Sequence, residues 1–129
     1  MTRDEIEKLT LDFTAAFNRD DLDTVMSYFA EDGIYEELDD RRAVGKAAIR
    51  VAFEPQFRGD FGEMRFLQED LFVDAAAGKA MISWTCTLST SRGPAGWRGL
   101  DLLHWKGGRL VLKQTYGKAK VPRLQPRTE

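Results

Sequence analysis

The sequence is poor in the residues that build disulfides and metal sites. Its 129 residues include one cysteine, Cys86, and one histidine, His104. A single cysteine cannot form an internal disulfide, and a single histidine gives no cluster with zinc-ligand spacing. Cys86 is most simply a small buried hydrophobic residue. These absences predict a cytoplasmic protein without a metal and without a cofactor.

The sequence also lacks a strong excess of charge and any long apolar run. Its 19 basic and 21 acidic residues are spread along the chain and leave a net charge of −2. This balance argues against nucleic acid and against an anionic membrane surface as partners. No apolar run approaches the length of a membrane span, and residues 1–8 lack the apolar core of a signal peptide. Small molecules and other proteins remain as expected partners.

Apolar residues at three- and four-residue spacing predict three helices in the first half of the chain. Thr2 and Glu5 have the spacing of a capping box, so the first helix should begin there. The second should stop at residues 31–33, and Pro55 should end or bend the third. The apolar positions are Ile6, Leu9, Phe13, Ala16 and Phe17, then Leu22, Val25, Met26 and Phe29, then Ala48, Ile49, Ala52 and Phe53.

The second half of the chain alternates as strands do. Strands are predicted at 34–38, 64–74, 79–89 and 97–116, the last being two strands joined by a turn at Gly107-Gly108. Loops are predicted at 39–42, 58–62 and 91–96, the second of them mobile. The pattern indicates one α+β domain, residues 1–117, followed by a loosely held basic tail, residues 118–129.

Asp101 is the unusual residue of this sheet. Alternation places it on one strand face with Trp97, Gly99, Leu103 and Trp105. A carboxylate in such surroundings must be paired, protonated or facing a ligand, and Gly99 leaves room for something to approach.

The structural alternative for Asp101 is a salt bridge across the sheet to Arg109 or Lys113. Glu37 shares a face with Tyr35, but it could equally be one more solvated charge at a strand end. Strand parity turns His104 away from Asp101, so we expect it at the surface or at an interface.

Four segments of the sequence are similar to a known family: residues 13–23, 28–33, 44–50 and 99–105. Their order and spacing resemble the nuclear transport factor 2-like superfamily, within it the ketosteroid isomerase and SnoaL-like polyketide cyclase branch, over residues 3–117. The resemblance implies a cone-shaped α+β domain in which three N-terminal helices pack on a strongly curved antiparallel sheet, a cystatin-like α+β roll. It also implies a homodimer formed through the outer face of the sheet.

The resemblance further implies roles for two carboxylic acids. In ketosteroid isomerase a carboxylate removes a proton next to a carbonyl, while a tyrosine and a protonated aspartate stabilise the oxyanion. Glu37 falls at the position of the base and Asp101 at that of the protonated aspartate. Phe13 stands where the tyrosine would be, so Tyr35, Trp84 or Trp97 would have to supply the other donor.

The expected ligand pocket is aromatic and apolar. Its predicted lining is Phe13, Phe17, Tyr35, Phe53, Trp84, Trp97, Leu103 and Trp105. The first functional hypothesis is a small-molecule enzyme that uses acid–base catalysis by Asp101 and Glu37 on an apolar carbonyl compound, as an isomerase or cyclase. The alternatives are a non-catalytic dimeric protein that holds a hydrophobic metabolite, and a dimerisation module with a filled pocket. A cavity that touches both carboxylic acids would favour the enzyme.

Overall fold

Three helices and six strands make up residues 1–118, the part of the chain that this computed structural model describes. The helices are α1 (Arg3–Asn18), α2 (Leu22–Ser27) and α3 (Lys46–Phe57). The strands are β1 (Phe29–Glu36), β2 (Arg42–Val44), β3 (Glu63–Asp74), β4 (Lys79–Thr90), β5 (Gly93–Lys106) and β6 (Arg109–Lys118). The predicted α+β class is confirmed. Apart from Lys118, the predicted basic tail lies outside the described residues.

The six strands form one sheet in the order β2-β1-β6-β5-β4-β3. Neighbouring strands are antiparallel except β1 and β6, which are parallel. The parallel pair arises because the chain passes from β1 through β2, α3 and the long β3–β6 meander before it returns beside β1. The sheet does not close on itself, so β2 and β3 lie at its edges within the described residues.

Irregular pairing at three places bends this sheet. The register shifts between Phe29 and Ile34 in β1, between Gln68 and Leu71 in β3, and at Val111 of β6, opposite His104 and Trp105. An extra residue on one strand of a pair kinks the strand and increases its twist. The sheet is therefore strongly curved, and its concave face receives the helices.

Helix α1 is held by a local cap at its start and by hydrogen bonds to the sheet at its end. At its start, the Thr2 hydroxyl accepts a hydrogen bond from the Glu5 amide at 3.1 Å, as the capping pattern predicts. At its end, the Asn18 side chain donates to the Phe66 carbonyl and accepts from the Phe66 amide, at 2.9 and 2.8 Å. Ile6, Thr10, Phe13, Ala16 and Phe17 are buried between these anchors.

The predicted end of the second helix is wrong. The second helix ends at Ser27, because Phe29 begins β1 and pairs with Leu110 of β6. Strand pairing here overrides a helical spacing that a six-residue helix cannot enforce by itself. Pro55 lies inside α3, which continues to Phe57.

The predicted loop at 91–96 is mostly strand. Gly93, Pro94 and Gly96 pair with β4 opposite Thr90, Ser89 and Thr87, so only residues 91–92 form the turn. Proline is tolerated there because β6 pairs with β5 only as far as Arg98, which leaves the outer side of Pro94 without a strand partner among the described residues. The turn at Gly107-Gly108 is as predicted, with φ of +57° and +81°. None of the helices within residues 1–118 has the length and apolar character that crossing a bilayer requires.

Candidate functional site

A cavity of about 830 Å³ lies between α1, α3 and the concave face of the sheet. Six of the eight predicted pocket residues line it: Phe13, Phe17, Tyr35, Phe53, Trp84 and Trp97. Leu103 and Trp105 do not line it, which corrects the prediction for these two. Both are buried in the core, where the Trp105 indole N–H donates to the Thr10 hydroxyl at 3.1 Å.

Asp101 lies on the wall of this cavity and accepts hydrogen bonds from three groups. Its Oδ1 accepts from Lys113 Nζ at 3.0 Å and from the Thr115 hydroxyl at 2.7 Å. Its Oδ2 accepts from the Trp84 indole N–H at 3.1 Å. Three donors, one of them cationic, stabilise an ionised carboxylate. The expectation of a protonated Asp101 is therefore replaced by its structural alternative, the ion pair with Lys113.

Lys113 is one of the few buried charges of the described chain. Its Nζ donates to Asp101 and, at 2.7 Å, to the Thr115 hydroxyl. The ammonium lies 4.5 Å from the ring centroid of Tyr35 and 5.6 Å from those of Phe17 and Phe53. Attraction to the ring faces adds to the ion pair.

The charge on Lys113 is decided by two opposing effects. Burial lowers the pKa of Lys113, but the negative charge of Asp101, with smaller effects from Tyr35 and Glu37, outweighs it, so the net pKa is raised. Lys113 is accordingly an ammonium at neutral pH, a donor and not a nucleophile.

The pKa of Tyr35 is affected by the same charged groups. Burial raises the pKa of its hydroxyl, Lys113 opposes this, and the charges of Asp101 and Glu37 raise it further. Tyr35 therefore stays protonated. Its ring stacks on Phe53, with centroids 4.5 Å apart and an interplanar angle of 15°.

Glu37 follows β1 and also lines the cavity. Its backbone closes the turn to β2, with the Glu37 amide donating to the Arg41 carbonyl at 2.8 Å. The nearest ion-pair contact of its carboxylate is Arg41 Nη2 at 3.9 Å, a loose one. The structure thus brings both predicted carboxylic acids, Glu37 and Asp101, to one cavity, where they differ in partners.

The two tryptophans that line the cavity, Trp84 and Trp97, differ in their hydrogen-bond partners. The Trp84 indole occupies the space above Gly99: a Cβ at Gly99 would lie 2.5 Å from Trp84 Cη2. The room that Gly99 provides is therefore filled by Trp84 and not by a ligand. With Trp84 committed to Asp101, the indole N–H of Trp97 is the buried side-chain donor without a partner among residues 1–118.

Lys113 and Thr115 were not predicted as site residues. Counted from the Gly107-Gly108 turn, regular pairing would place Lys113 opposite Leu102 and turn it to the outer face. A bulge at Val111 of β6, opposite His104 and Trp105, shifts the register, so that Lys113 pairs with Leu103 and Thr115 with Asp101. The shift brings both side chains inside. The one indication in the sequence is that Lys113 is a basic residue on the strand next to Asp101, which is why a salt bridge to it is the structural alternative.

The remaining predicted residues lie away from the cavity. His104 is on the outer face, with Nε2 2.7 Å from the Gln114 side-chain oxygen, and Arg109 donates to the Ser27 carbonyl at 2.8 Å. Cys86 is buried, and burial raises the pKa of its thiol to about 11. Among residues 1–118, no three side chains of the His, Cys, Asp and Glu types come together as metal ligands would.

Residues 11–113 match the family model of the SnoaL-like domain. Comparison with curated proteins finds no match. Among solved structures, an NTF2-like protein of unknown function from Mesorhizobium loti is 21% identical, with a TM-score of 0.75 and coverage of 91% of this chain and 93% of that one. A proposed polyketide cyclase from Xanthomonas campestris pv. campestris is 17% identical, with a TM-score of 0.73 and coverage of 88% and 90%. SalBIII, described as an epoxide hydrolase/cyclase-like enzyme of pyran ring formation in salinomycin, is 13% identical, with a TM-score of 0.79 and coverage of 89% and 92%.

Proposed function

The chain belongs to the SnoaL-like domain family of the NTF2-like superfamily, and on this premise we propose that it is a small-molecule isomerase or cyclase that acts on an apolar carbonyl compound. The observation that carries the proposal is the Asp101–Lys113 ion pair on the wall of an apolar cavity. Buried ion pairs contribute little to stability compared with apolar packing of the same volume. A few polar groups converging in an apolar cavity are, in contrast, typical of a ligand site.

Lys113 is the proposed oxyanion stabiliser. Two of its three ammonium N–H groups have partners, Asp101 and Thr115, which leaves one for the carbonyl oxygen of a ligand. A fixed ammonium in a site of low dielectric stabilises negative charge that develops during a reaction. Lys113 thereby supplies what Phe13 cannot, since phenylalanine has no hydroxyl. Asp101 is in this proposal a positioning residue that holds Lys113 and keeps it charged.

Glu37 is the proposed general base. Its carboxylate takes the proton from the carbon next to the carbonyl, and the electron pair of the C–H bond forms a new C=C bond. The π electron pair of the carbonyl moves to the oxygen beside Lys113, which gives an enolate. In an unsaturated ketone, return of the proton from Glu37 to a carbon further along the conjugated enolate completes an isomerisation. In a dicarbonyl compound, attack of the enolate carbon on the second carbonyl gives an alkoxide, and the proton held by Glu37 returns to this oxygen to complete a cyclisation. The loose contact with Arg41 leaves the carboxylate free for this role.

Hydrogen–deuterium exchange tests this proposal without knowledge of the natural substrate. A panel of cyclic enones, aryl ketones and 1,3-diketones is incubated with the protein in D₂O, and deuterium uptake at the α-carbon is followed by NMR. The wild-type protein should accelerate uptake for at least one member. Loss of a general base typically lowers the rate by about 10²- to 10⁴-fold, which is the expected effect of Glu37→Gln.

Glu36→Gln is the matched control, since Glu36 precedes Glu37 but does not line the cavity, and its carboxylate bonds to Gln114 and to Arg42 of the rim. Exchange in this variant should match the wild type. A binding-competent wild-type protein that exchanges no compound, or a Glu37→Gln variant that exchanges at the wild-type rate, would contradict the proposal.

The second candidate is a protein of the same fold that holds a hydrophobic metabolite without changing it. It is favoured by the saturation of Asp101, whose contacts with Trp84, Lys113 and Thr115 are all to the protein itself. A ligand that binds tightly and is recovered chemically unchanged, with no deuterium incorporated, would support it. The filled-pocket module is disfavoured by the size of the cavity.

A further inference from the structure

Three exposed apolar side chains stand at the rim of the cavity. Leu38 follows β1, Val51 lies on α3 and Phe61 lies in the segment between α3 and β3, with exposed fractions of 45%, 66% and 57%. All three line the same cavity as Asp101 and Lys113. Single exposed apolar residues are common on protein surfaces, but a cluster from three elements around one opening marks an interaction site.

The cavity thus changes in character from its interior to its rim. The side chains of Lys113 and Asp101 are 5% and 14% exposed, and the aromatic rings lie around them. At the rim the charged lining residues are already paired: Arg41 with Asp39 at 2.7 Å and Arg42 with Glu36 at 3.4 Å. These two arginines are therefore occupied, and Leu38, Val51 and Phe61 offer apolar contacts beside them.

We propose that the rim is a subsite for the apolar tail of an amphipathic ligand, whose oxygen-bearing head lies at Lys113 and whose tail leaves the cavity across Val51 and Phe61. The placement of the head rests on the proposed function, whereas the tail subsite rests on the exposed rim. The ligand class is then a carbonyl compound with an extended chain, bound head first. A rigid polycycle enclosed by the cavity would not use Val51 and Phe61.

A homologous series of straight-chain methyl ketones, from six to twelve carbons, tests this subsite. Binding is followed by the intrinsic fluorescence of the protein, because Trp84 and Trp97 line the cavity. Burial of each added methylene should increase the affinity about fourfold. In Phe61→Ser and Val51→Ser the short ketones should bind with the affinity of the wild type. For the longest ketones, each added methylene should no longer increase the affinity of these variants.

Phe72→Ser is the matched control. Phe72 is 63% exposed, similar to Phe61, but it lies on β3 outside the cavity lining. Its substitution should leave the whole series unchanged. An unchanged series in both rim variants, or an equal loss at every chain length, would overturn the tail subsite.

A second copy of this chain is the competing occupant of the rim. Sedimentation velocity of wild-type protein and Phe61→Ser over a range of concentrations separates the two. The tail subsite predicts the same association state for both, whereas weaker self-association in Phe61→Ser with an unchanged ketone series would overturn it.

The binding series is independent of turnover. The Glu37→Gln variant should keep the gain per methylene although it no longer exchanges protons. A wild-type protein that shows the gain but no exchange would refute the catalytic proposal alone, and one that shows exchange with short ketones but no gain would refute the tail subsite alone.

Discussion

At the scale of single residues, the protonation state of Asp101 depends on the side chains that the neighbouring strands place beside it. The carboxylate was recognisable from its tryptophan neighbours as needing a partner, and Lys113 is that partner at 3.0 Å. The protonated state implied by the resemblance is disfavoured because the ammonium and two further donors stabilise the anion. Burial alone does not decide protonation when a cation is buried beside the acid.

The pair should behave as a coupled unit in unfolding experiments. Lys113→Met leaves the Asp101 carboxylate buried without its cation and should lower the free energy of unfolding by about 3–5 kcal/mol. Asp101→Asn in the same chain removes the stranded charge, so the double variant should be more stable than Lys113→Met alone. Urea denaturation of the four proteins of this cycle measures the coupling. Additive losses would show that the two side chains act independently.

The sequence predicts which face of the sheet a side chain lies on only where the strand register is regular. Ile82, Trp84 and Cys86 alternate without interruption and are all buried, as predicted. Lys113 and Thr115 could not be placed, because a bulge of one residue reverses the faces of everything beyond it. Val111, the extra residue of β6, is an ordinary strand residue and gives no indication of that bulge in the sequence.

At the scale of elements, β4 and β5 meet at Gly99, over which the Trp84 indole lies. A Cβ at this position would collide with Trp84 and with the Tyr116 carbonyl. Gly99→Ala should lower the free energy of unfolding by about 1–3 kcal/mol, since overpacking forces neighbouring groups apart. It should also weaken the hydrogen bond from Trp84 to Asp101.

The signal of the Trp84 indole proton in an NMR spectrum measures this second effect. We expect an upfield shift in Gly99→Ala, as the carboxylate contact lengthens. Gly59→Ala is the control, because Gly59 has φ of +83° but nothing within 4 Å of an added Cβ. It should be destabilised only by its backbone conformation, without a shift at Trp84. A wild-type Trp84 signal in Gly99→Ala would mean that the backbone absorbs the added methyl group.

Elements with a regular local pattern were predictable, and those set by long-range pairing were not. Helix α1 shows its cap and its stripe in the sequence, and the structure has both. Strand β1 begins at Phe29 because Leu110, far along the chain, lies beside it. The strand at Gly93–Gly96 carries glycine and proline, and only its pairing with β4 makes it a strand.

At the scale of the whole molecule, three titrating groups, two of them buried and one partly buried, make the fold sensitive to high pH. Burial raises the pKa of Cys86 from 9.0 to about 11, and the pKa values of Tyr35 and Lys113 are also raised. Between pH 9 and 11 the unfolded chain releases the Cys86 proton while the folded chain keeps it. The folded state binds more protons there, so its stability falls as the pH rises.

Urea denaturation in steps from pH 7.5 to 11, with a reductant present, measures this loss. A difference of two pKa units corresponds to roughly 2–3 kcal/mol for the thiol. Cys86→Ala should show a smaller decline over that range by about this amount, although its stability at neutral pH is lower. Parallel pH profiles of the two proteins would assign the alkaline loss to other groups.

The assembly of the protein remains a proposal at this scale. Leu67, Phe72 and Tyr116 are large exposed apolar residues of β3 and β6 outside the cavity lining, and they offer surface for the homodimer that the resemblance implies. Sedimentation of the wild-type protein tests it directly.

The unclosed sheet carries a further consequence at its β3 edge. The outer side of this 12-residue strand has no strand partner within residues 1–118, and such an edge can pair with strands of other molecules and grow into fibrils. Charged side chains at Glu63, Arg65, Glu69 and Asp70, together with the irregularity after Gln68, oppose such stacking. The open edge is thereby protected against aggregation, and removal of these charges should make the protein prone to it.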